Sequence, residues 1–474
     1  TQTTTSAASV SDVVQDIVGS RSQAPYDEKT PDPLLAAFRA AATTAGLFKP
    51  EEGPAYADTI MGILSANPAD LDDRFLLVEH RDGGMAAMQW FYDYCVANNY
   101  VKRAQLDRNP RFDSHGLTVT INLAKPEFKN MKKAAAGNAV AGGYPKCTIC
   151  HENEGFAGRD KRTLRTLPVT LGGESWFWQF SPYGYFDQHG ICVNTDHTPM
   201  HVDRDTFGHL LDFVDRFPGY FLGCNAALPR IGGSVLAHDH YQGGGELLPM
   251  HKAATWAAFA LADYPDAVVE ILDWPGTAVR VVSKSRQSII DVSDIIREAW
   301  VGYDDAANGI ASHDADGNRQ SALSPSAIIT ERGYEMSLIF RNNAISDEYP
   351  EGIFHAHPEY WPVKQEPIGL IDGPRLVHSR PDGSSTSSAL SKRRSPKAAI
   401  CPMKSANSVS NGANSLKRWP ETTTARPSAK PYTTSSAASA TASSATRPSS
   451  SRKPPRKHSS KALVLPLGET GQVK

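Results

Sequence analysis

The sequence predicts an α+β fold: a helical N-terminal region, two units of antiparallel-looking strands with helices between them, and a basic tail without a fold. Three observations predict it. Apolar residues recur at helical spacing up to about Arg111. From His115 the period falls to two, and strand-like runs then recur in two successive groups. After Asp372 apolar periodicity stops altogether.

In AAMQWFYDYCVANNYV, Met88, Phe91, Cys95 and Val96 fall on one helical face. In GLTVTINL, Leu117, Val119, Ile121 and Leu123 alternate with polar residues as a half-buried strand does. Further strands are expected at Thr166–Leu171, Trp176–Phe180 and Gly190–Asn194. A helix from about Asp203 gathers Phe207, Leu210, Leu211, Val214 and Phe217. Asp203 or Asp205 would cap it, and Pro218–Gly219 would stop it. A strand through Phe221–Asn225 leads to a histidine motif. Beyond it, strands at Thr277–Ser283 and Met336–Asn342 bracket a helix near Val292–Trp300. Two mixed units in series give the α+β class. The expected boundaries are 10–245, with a helical lead-in to about 111, then 246–372, then a tail over 373–474.

The formal charge of −2 conceals a division. From Gly373 onward there are 18 Lys and Arg against 3 Asp and Glu, so the first 372 residues hold 31 basic and 48 acidic side chains. An acidic body carries a basic Ser/Ala/Pro-rich tail that cannot bury enough surface to fold. The tail reads as a solvated segment, so no nucleic-acid partner is expected. No run is long and apolar enough for a membrane span, so no membrane partner is expected either. The first residues lack a basic stretch followed by an apolar one, and six cysteines in 474 residues do not make a disulfide scaffold. The expectation is a cytoplasmic, reducing compartment.

Gly232–Gly244, GGSVLAHDHYQGG, carries the chemistry. In an extended segment His238, His240 and Gln242 share a face, and the glycines let a ligand approach the backbone. Imidazole and amide beside bare backbone suit phosphate chemistry, with a nucleophile or base and a neutral donor. Cys147 and Cys150, in GGYPKCTICHENEG, form a C-x-x-C knuckle able to hold zinc. His197, in VNTDHTPMH, and His238 would complete a closed Cys₂His₂ set. The alternatives are a redox pair, which lacks the strand–CxxC–helix setting, and two unrelated thiols. His115, His201 and His209 read as surface or core residues. Arg159, Arg162 and Arg165 read as a solvated face within reach of phosphates.

The order C-x-x-C, DHTPMH before an amphipathic helix, Asn225 and HDHYQGG resembles the galactose-1-phosphate uridylyltransferases, of the histidine-triad-like superfamily. WFYDYC, INLAKPE, YPKCTICHENEG, LGGESWFWQFSPYGYF and RNNAISDEYPEGIFHAHPE resemble the Firmicutes-type branch; the better-known branch has H-P-H-G-Q where this chain has H-D-H-Y-Q. The resemblance runs from about residue 10 to Asp372. It implies two histidine-triad-like sheet units and exchange of UMP between UDP-glucose and galactose 1-phosphate. His240 would be the nucleophile of a ping-pong reaction and Gln242 a donor to a phosphoryl oxygen. Asn225 and Ser234 would hold the diphosphate. It also implies a structural zinc on Cys147, Cys150, His197 and His238. His355 and His357 match an H-x-H of a second family metal site, but its other ligands have no counterpart here. Those two histidines are therefore expected to be structural or to line the sugar-phosphate pocket, with Lys364 near the hexose or phosphate. By analogy the chain would form a homodimer.

The chain departs from the family after IGLI, where the family continues with an ordered apolar segment. The composition step there reads as a GC-rich gene translated in a shifted frame. Two rival functions stand beside the transferase. A nucleotide hydrolase or adenylyltransferase of the same superfamily would differ in its acceptor, water or another group in place of a sugar phosphate. A zinc-stabilised UDP-sugar-binding protein would bind UDP-glucose and release no glucose 1-phosphate.

Overall fold

A computed structural model describes residues 30–114, 117–121, 123, 143–231, 235–355, 357 and 376–378. Ser234, Lys364, His115 and nearly all of the tail lie outside the described residues. The chain opens with helices α1 (Asp32–Thr44), α2 (Gly53–Leu64), α3 (Pro68–Asp82), α4 (Gly84–Ala97) and the short α5 (Arg103–Leu106). Proline at the first position of α3 costs no hydrogen bond there, and Asn67 caps that helix by accepting from the Ala69 amide at 3.0 Å. Along α4, Met88, Phe91, Cys95 and Val96 are all buried, as their spacing requires.

Ten strands follow in one antiparallel sheet: β3 (Leu167–Leu171), β4 (Glu174–Phe180), β5 (Gly190–Asn194), β6 (Phe221–Gly223), β7 (His240–Gly244), β8 (Thr255–Leu261), β9 (Tyr264–Leu272), β10 (Ala278–Ser283), β11 (Ser321–Thr330) and β12 (Gly333–Asn342). Their order is β3-β4-β5-β7-β6-β11-β12-β10-β9-β8. Helix α6 (Arg204–Arg216) connects β5 to β6, and α7 (Arg286–Val301) connects β10 to β11. Counted from either edge, each half has five strands in the order first, second, third, fifth, fourth, with its helix between third and fourth. The halves meet where the two fourth strands pair, at Ser326 with Gly223 and Ala327 with Leu222. This is the α+β architecture of two like units expected from the sequence.

Three more strands form a separate small sheet: β1 (Arg111–Ser114), β2 (Leu117–Thr120) and β13 (Leu376–His378). β2 is shorter than the alternation of GLTVTINL suggests, and Leu123 is exposed beyond its end. β13 pairs parallel with β2 and falls inside the segment read as an unfolded tail. Leu376 and Val377 supply strand-forming residues there.

The aromatic core forms between the sheet and its covering helices. Phe180 on β4 meets Phe91 and Tyr92 of α4 at ring distances of 5.3 and 5.0 Å. Phe75 of α3 reaches Phe91 and Phe217, and the Arg216 guanidinium binds Glu79 through two 2.7 Å bonds. Each such fully buried ring contributes about 1.5–3 kcal/mol relative to exposure. In α6 the apolar stripe Phe207, Leu210, Leu211 and Val214 is buried, and Asp203 accepts from the Thr206 amide at 3.1 Å. Asp203→Ala should therefore lower stability by about 1 kcal/mol. A chemical denaturation midpoint equal to the parent's would contradict that.

Candidate active site and metal cluster

β7 lies inside the sheet, between β5 and β6. Its register sets Val193 against His240 and Gly223 against Gln242. His240 and Gln242 lie two residues apart and face one side, whereas Tyr241 faces the other. Tyr241 anchors the strand from behind. It is fully buried, stacks on Trp176 at 4.6 Å and hydrogen-bonds His209 Nδ1 at 3.0 Å. His209 is thus a core histidine, as expected.

Glycine at 243 follows from the close approach of β6. A Cβ there would collide with the Phe221 carbonyl oxygen, a backbone atom that cannot rotate away. Gly243→Ala should therefore cost roughly 1–3 kcal/mol and loosen the β6–β7 pairing beside Gln242. Thermal melting of the variant checks this, and an unchanged melting temperature would refute it.

The C-x-x-C knuckle and the two histidines meet in one place. Cys147, Cys150, His197 and His238 present ligand atoms that all lie within 4.8 Å of one another. Cys147 Sγ is 3.4 Å from Cys150 Sγ and 3.3 Å from His238 Nδ1, and Cys150 Sγ is 3.2 Å from His197 Nδ1. Asn153 holds the knuckle, its amide donating to the carbonyls of Cys147 and Cys150 at 2.9 and 2.8 Å. His238 Nε2–H donates to the Asn194 carbonyl at 2.8 Å, so its Nδ1 keeps a lone pair for the cluster. Segment 198–200 is sewn to the motif by Asp239 N–H to Thr198 O at 2.7 Å and Met200 N–H to Leu236 O at 2.9 Å. The hydrogen bond with Cys147 holds the Cys150 thiol well below its ordinary value. The same bond, with burial, pushes Cys147 up. The pair thus offers one ready thiolate, as metal ligation demands.

His240 is buried and joined to that cluster through the backbone. Its Nδ1 lies 2.8 Å from the His238 carbonyl oxygen. A carbonyl can only accept, so Nδ1 carries the proton and Nε2 holds the lone pair. Burial pulls the imidazole down to about 4, which keeps it neutral near pH 7. Gln242 Oε1 is 3.2 Å from His189 Nε2, a partner absent from the sequence reading.

Asn225 is buried just past the end of β6. The cause of that end is Pro325, in the facing strand β11. Its carbonyl accepts from Cys224 N–H at 2.9 Å, but proline has no N–H to return the bond. The ladder stops there, and Asn225 leaves the sheet beside β7.

His355 and His357 follow β12. His357 Nε2 is 3.0 Å from the Ile353 carbonyl and its ring stacks on Tyr349 at 3.8 Å. The same segment is tied to the loop after Asn225, because Arg230 donates to Asn343 O at 2.8 Å. Arg165 departs from its reading as a solvated arginine. It is buried and donates to the carbonyls of Ala66, Arg162 and Leu164, so it clamps backbone.

Asp239, between the two motif histidines, was also unforeseen. It is fully buried, neither carboxylate oxygen has a hydrogen-bond partner among the described residues, and burial raises it to about 6. His201 Nδ1 is 3.5 Å from it, which draws that half-exposed histidine toward the motif.

Comparison with known proteins shows what the chain is similar to. Residues 25–199 match the family described as galactose-1-phosphate uridyl transferase, N-terminal domain. A galactose-1-phosphate uridylyltransferase of Bifidobacterium longum is 98% identical over 375 residues, covering 79% of this chain and 73% of that protein. Its namesake from Caldanaerobacter subterraneus is 36% identical over 359 residues, 72% and 69% of the two chains. Another, from Streptococcus mutans, is 36% identical over 330 residues, 68% and 67%. Among solved structures, yeast Ap4A phosphorylase aligns over 60% of this chain and 82% of its own, with 11% identity and a TM-score of 0.32. No helix among the described residues is long and apolar enough to cross a membrane. The chain belongs to the galactose-1-phosphate uridylyltransferase family.

Proposed function

We propose that this chain moves the uridylyl group of UDP-glucose onto galactose 1-phosphate, with His240 as the carrier. The observation that carries this reading is the 2.8 Å bond from His240 Nδ1–H to the His238 carbonyl, which fixes the tautomer and leaves Nε2 with its lone pair. Nε2 attacks the α-phosphorus, the bond to the bridging oxygen breaks, and that electron pair leaves with glucose 1-phosphate. A phosphate oxygen of galactose 1-phosphate then attacks the same phosphorus, and the electron pair of the N–P bond returns to Nε2. Gln242 donates its amide to a non-bridging oxygen, where charge builds in both transition states. Asn225 and Ser234 hold the diphosphate, while Lys364, His355 and His357 belong to the hexose-phosphate side.

The metal cluster is read as a structural zinc site. Tetrahedral zinc with ordinary Zn–S and Zn–N bonds sets S···S at about 3.8 Å and S···N at about 3.6 Å. The separations of 3.2–3.7 Å here fit that spacing, and thiolate with imidazole is a zinc donor set. Zinc would cross-link the knuckle, the 195–200 segment and the start of β7; it takes no part in the transfer. His238 supplies both a ligand and the carbonyl that orients His240, so cluster and nucleophile are mechanically one piece.

Intact-protein mass spectrometry after mixing with UDP-glucose tests the proposal. A uridylyl adduct that galactose 1-phosphate discharges supports it. A folded protein that binds UDP-glucose and forms no adduct refutes it.

A further inference from the structure

We propose that His189 is a positioning residue that sets the Gln242 side-chain amide with its NH₂ group toward the phosphoryl oxygen. The inference rests on the role given to Gln242 above. A glutamine amide has two nearly isosteric ends, and only one of them stabilises a phosphoryl anion. Turned the wrong way, Oε1 would face developing negative charge and oppose the reaction.

The structure decides the orientation through a directed chain of bonds. Tyr185 N–H lies 3.3 Å from His189 Nδ1, and a backbone amide can only donate, so Nδ1 accepts. The ring proton is then on Nε2, which faces Gln242 Oε1 at 3.2 Å. With Oε1 engaged, the NH₂ end of Gln242 is directed away from His189. Each donor in this series polarises the next.

The surroundings of His189 are built to hold that ring. It is 5% exposed, its ring centre is 4.4 Å from Phe186 and 5.4 Å from Tyr185, and its carbonyl accepts from Ser181 N–H at 2.8 Å. Gly184 makes room for it: a Cβ there would come within 2.9 Å of His189 Cβ. Asp187 O accepts from Gly245 N–H at 3.2 Å, which ties the same loop to the far end of β7. The loop of residues 181–189, the end of the LGGESWFWQFSPYGYF run and the three residues after it, thereby gains a function.

The test is the pre-steady-state rate of uridylyl adduct formation from UDP-glucose. It compares the parent with His189→Phe, His189→Gln, Gln242→Leu and the His189→Phe/Gln242→Leu double variant. Phenylalanine keeps the ring and removes the donor, whereas glutamine keeps a donor near the Nε2 position. His189→Phe should slow the step by about 10- to 100-fold, a part of the loss expected for an absent oxyanion donor. The half-saturating UDP-glucose concentration should change little, and His189→Gln should recover most of the rate. In the Gln242→Leu background, His189→Phe should cost nothing further.

An equal loss in both backgrounds, or a parental rate in His189→Phe, overturns the proposal. Should His189→Phe fail to fold, His189→Gln decides alone: a rate as low as that of Gln242→Leu overturns it. A parental rate in Gln242→Leu removes the role of Gln242 and the proposal with it. If the parent itself forms no adduct, the transferase reading fails separately. The ¹⁵N shifts of His189 in histidine-labelled protein then still decide the geometry, since a proton on Nδ1 would contradict it and a proton on Nε2 would support it.

Discussion

His240→Asn should form no uridylyl adduct and should exchange glucose 1-phosphate into UDP-glucose at least about four orders of magnitude more slowly than the parent. Asparagine is the informative replacement. Its amide nitrogen overlays the histidine Nδ1 and can keep the bond to the His238 carbonyl, 2.8 Å away in the parent. What it lacks is the Nε2 lone pair. The expected outcome is therefore a loss of chemistry without a loss of fold, seen as a parental circular dichroism spectrum and melting temperature. Retained ping-pong exchange in the folded variant would place the nucleophile elsewhere.

Cys147→Ser should remove the bound metal and stability together. Serine is a poor zinc ligand, and the buried Cys150 and His238 and the half-buried His197 would be left without the ion that reconciles their charges. A loss of roughly 3–5 kcal/mol is expected from breaking a buried charged cluster. At roughly 2–4 °C per kcal/mol for a domain of this class, the melting temperature should fall by about 6–20 °C. Chelation of the parent should reproduce the shift. Transfer activity should fall with it, because the backbone of His238 orients His240. Metal analysis finding no zinc in well-folded parent protein would end the structural-metal reading.

The metal cluster was legible in sequence because its information is chemical: two cysteines at knuckle spacing and histidines of the right type admit few other roles. Strand alternation likewise made it legible that His240 and Gln242 share one face of β7. Helix α6 could be read almost to the residue, since its cap, its apolar stripe and its Pro-Gly stop agree. β11 could not. SALSPSAIIT has a proline at its centre, which argues against an interior strand. It survives because Pro325 faces the place where the three-residue β6 ends. β8 hides for another reason: TWAAFAL lies mostly exposed at the sheet edge and shows no alternation.

His189 and Asp239 were missed because their roles are relational. His189 reaches a partner 53 residues away, and Asp239 lies 3.5 Å from His201, 38 positions before it in the chain. The Bifidobacterium longum relative aligns over 375 residues, and the other 99 of this chain stand outside that alignment.

The two halves of the sheet share a strand order yet spend their interior positions differently. At the fifth strand of the first half stand His240 and Gln242. At the fifth strand of the second stands Glu335, in an ionic network with the buried Arg280 and Glu270 and the exposed Arg332. A mutational survey of the sheet should accordingly split along the β6–β11 seam. On one side, substitutions of His240 or Gln242 would be felt as altered rates at constant melting temperature. On the other, they would be felt as altered melting temperature at constant rate per folded molecule. On the proposed function, one architecture divides its labour between a working half and a bracing half.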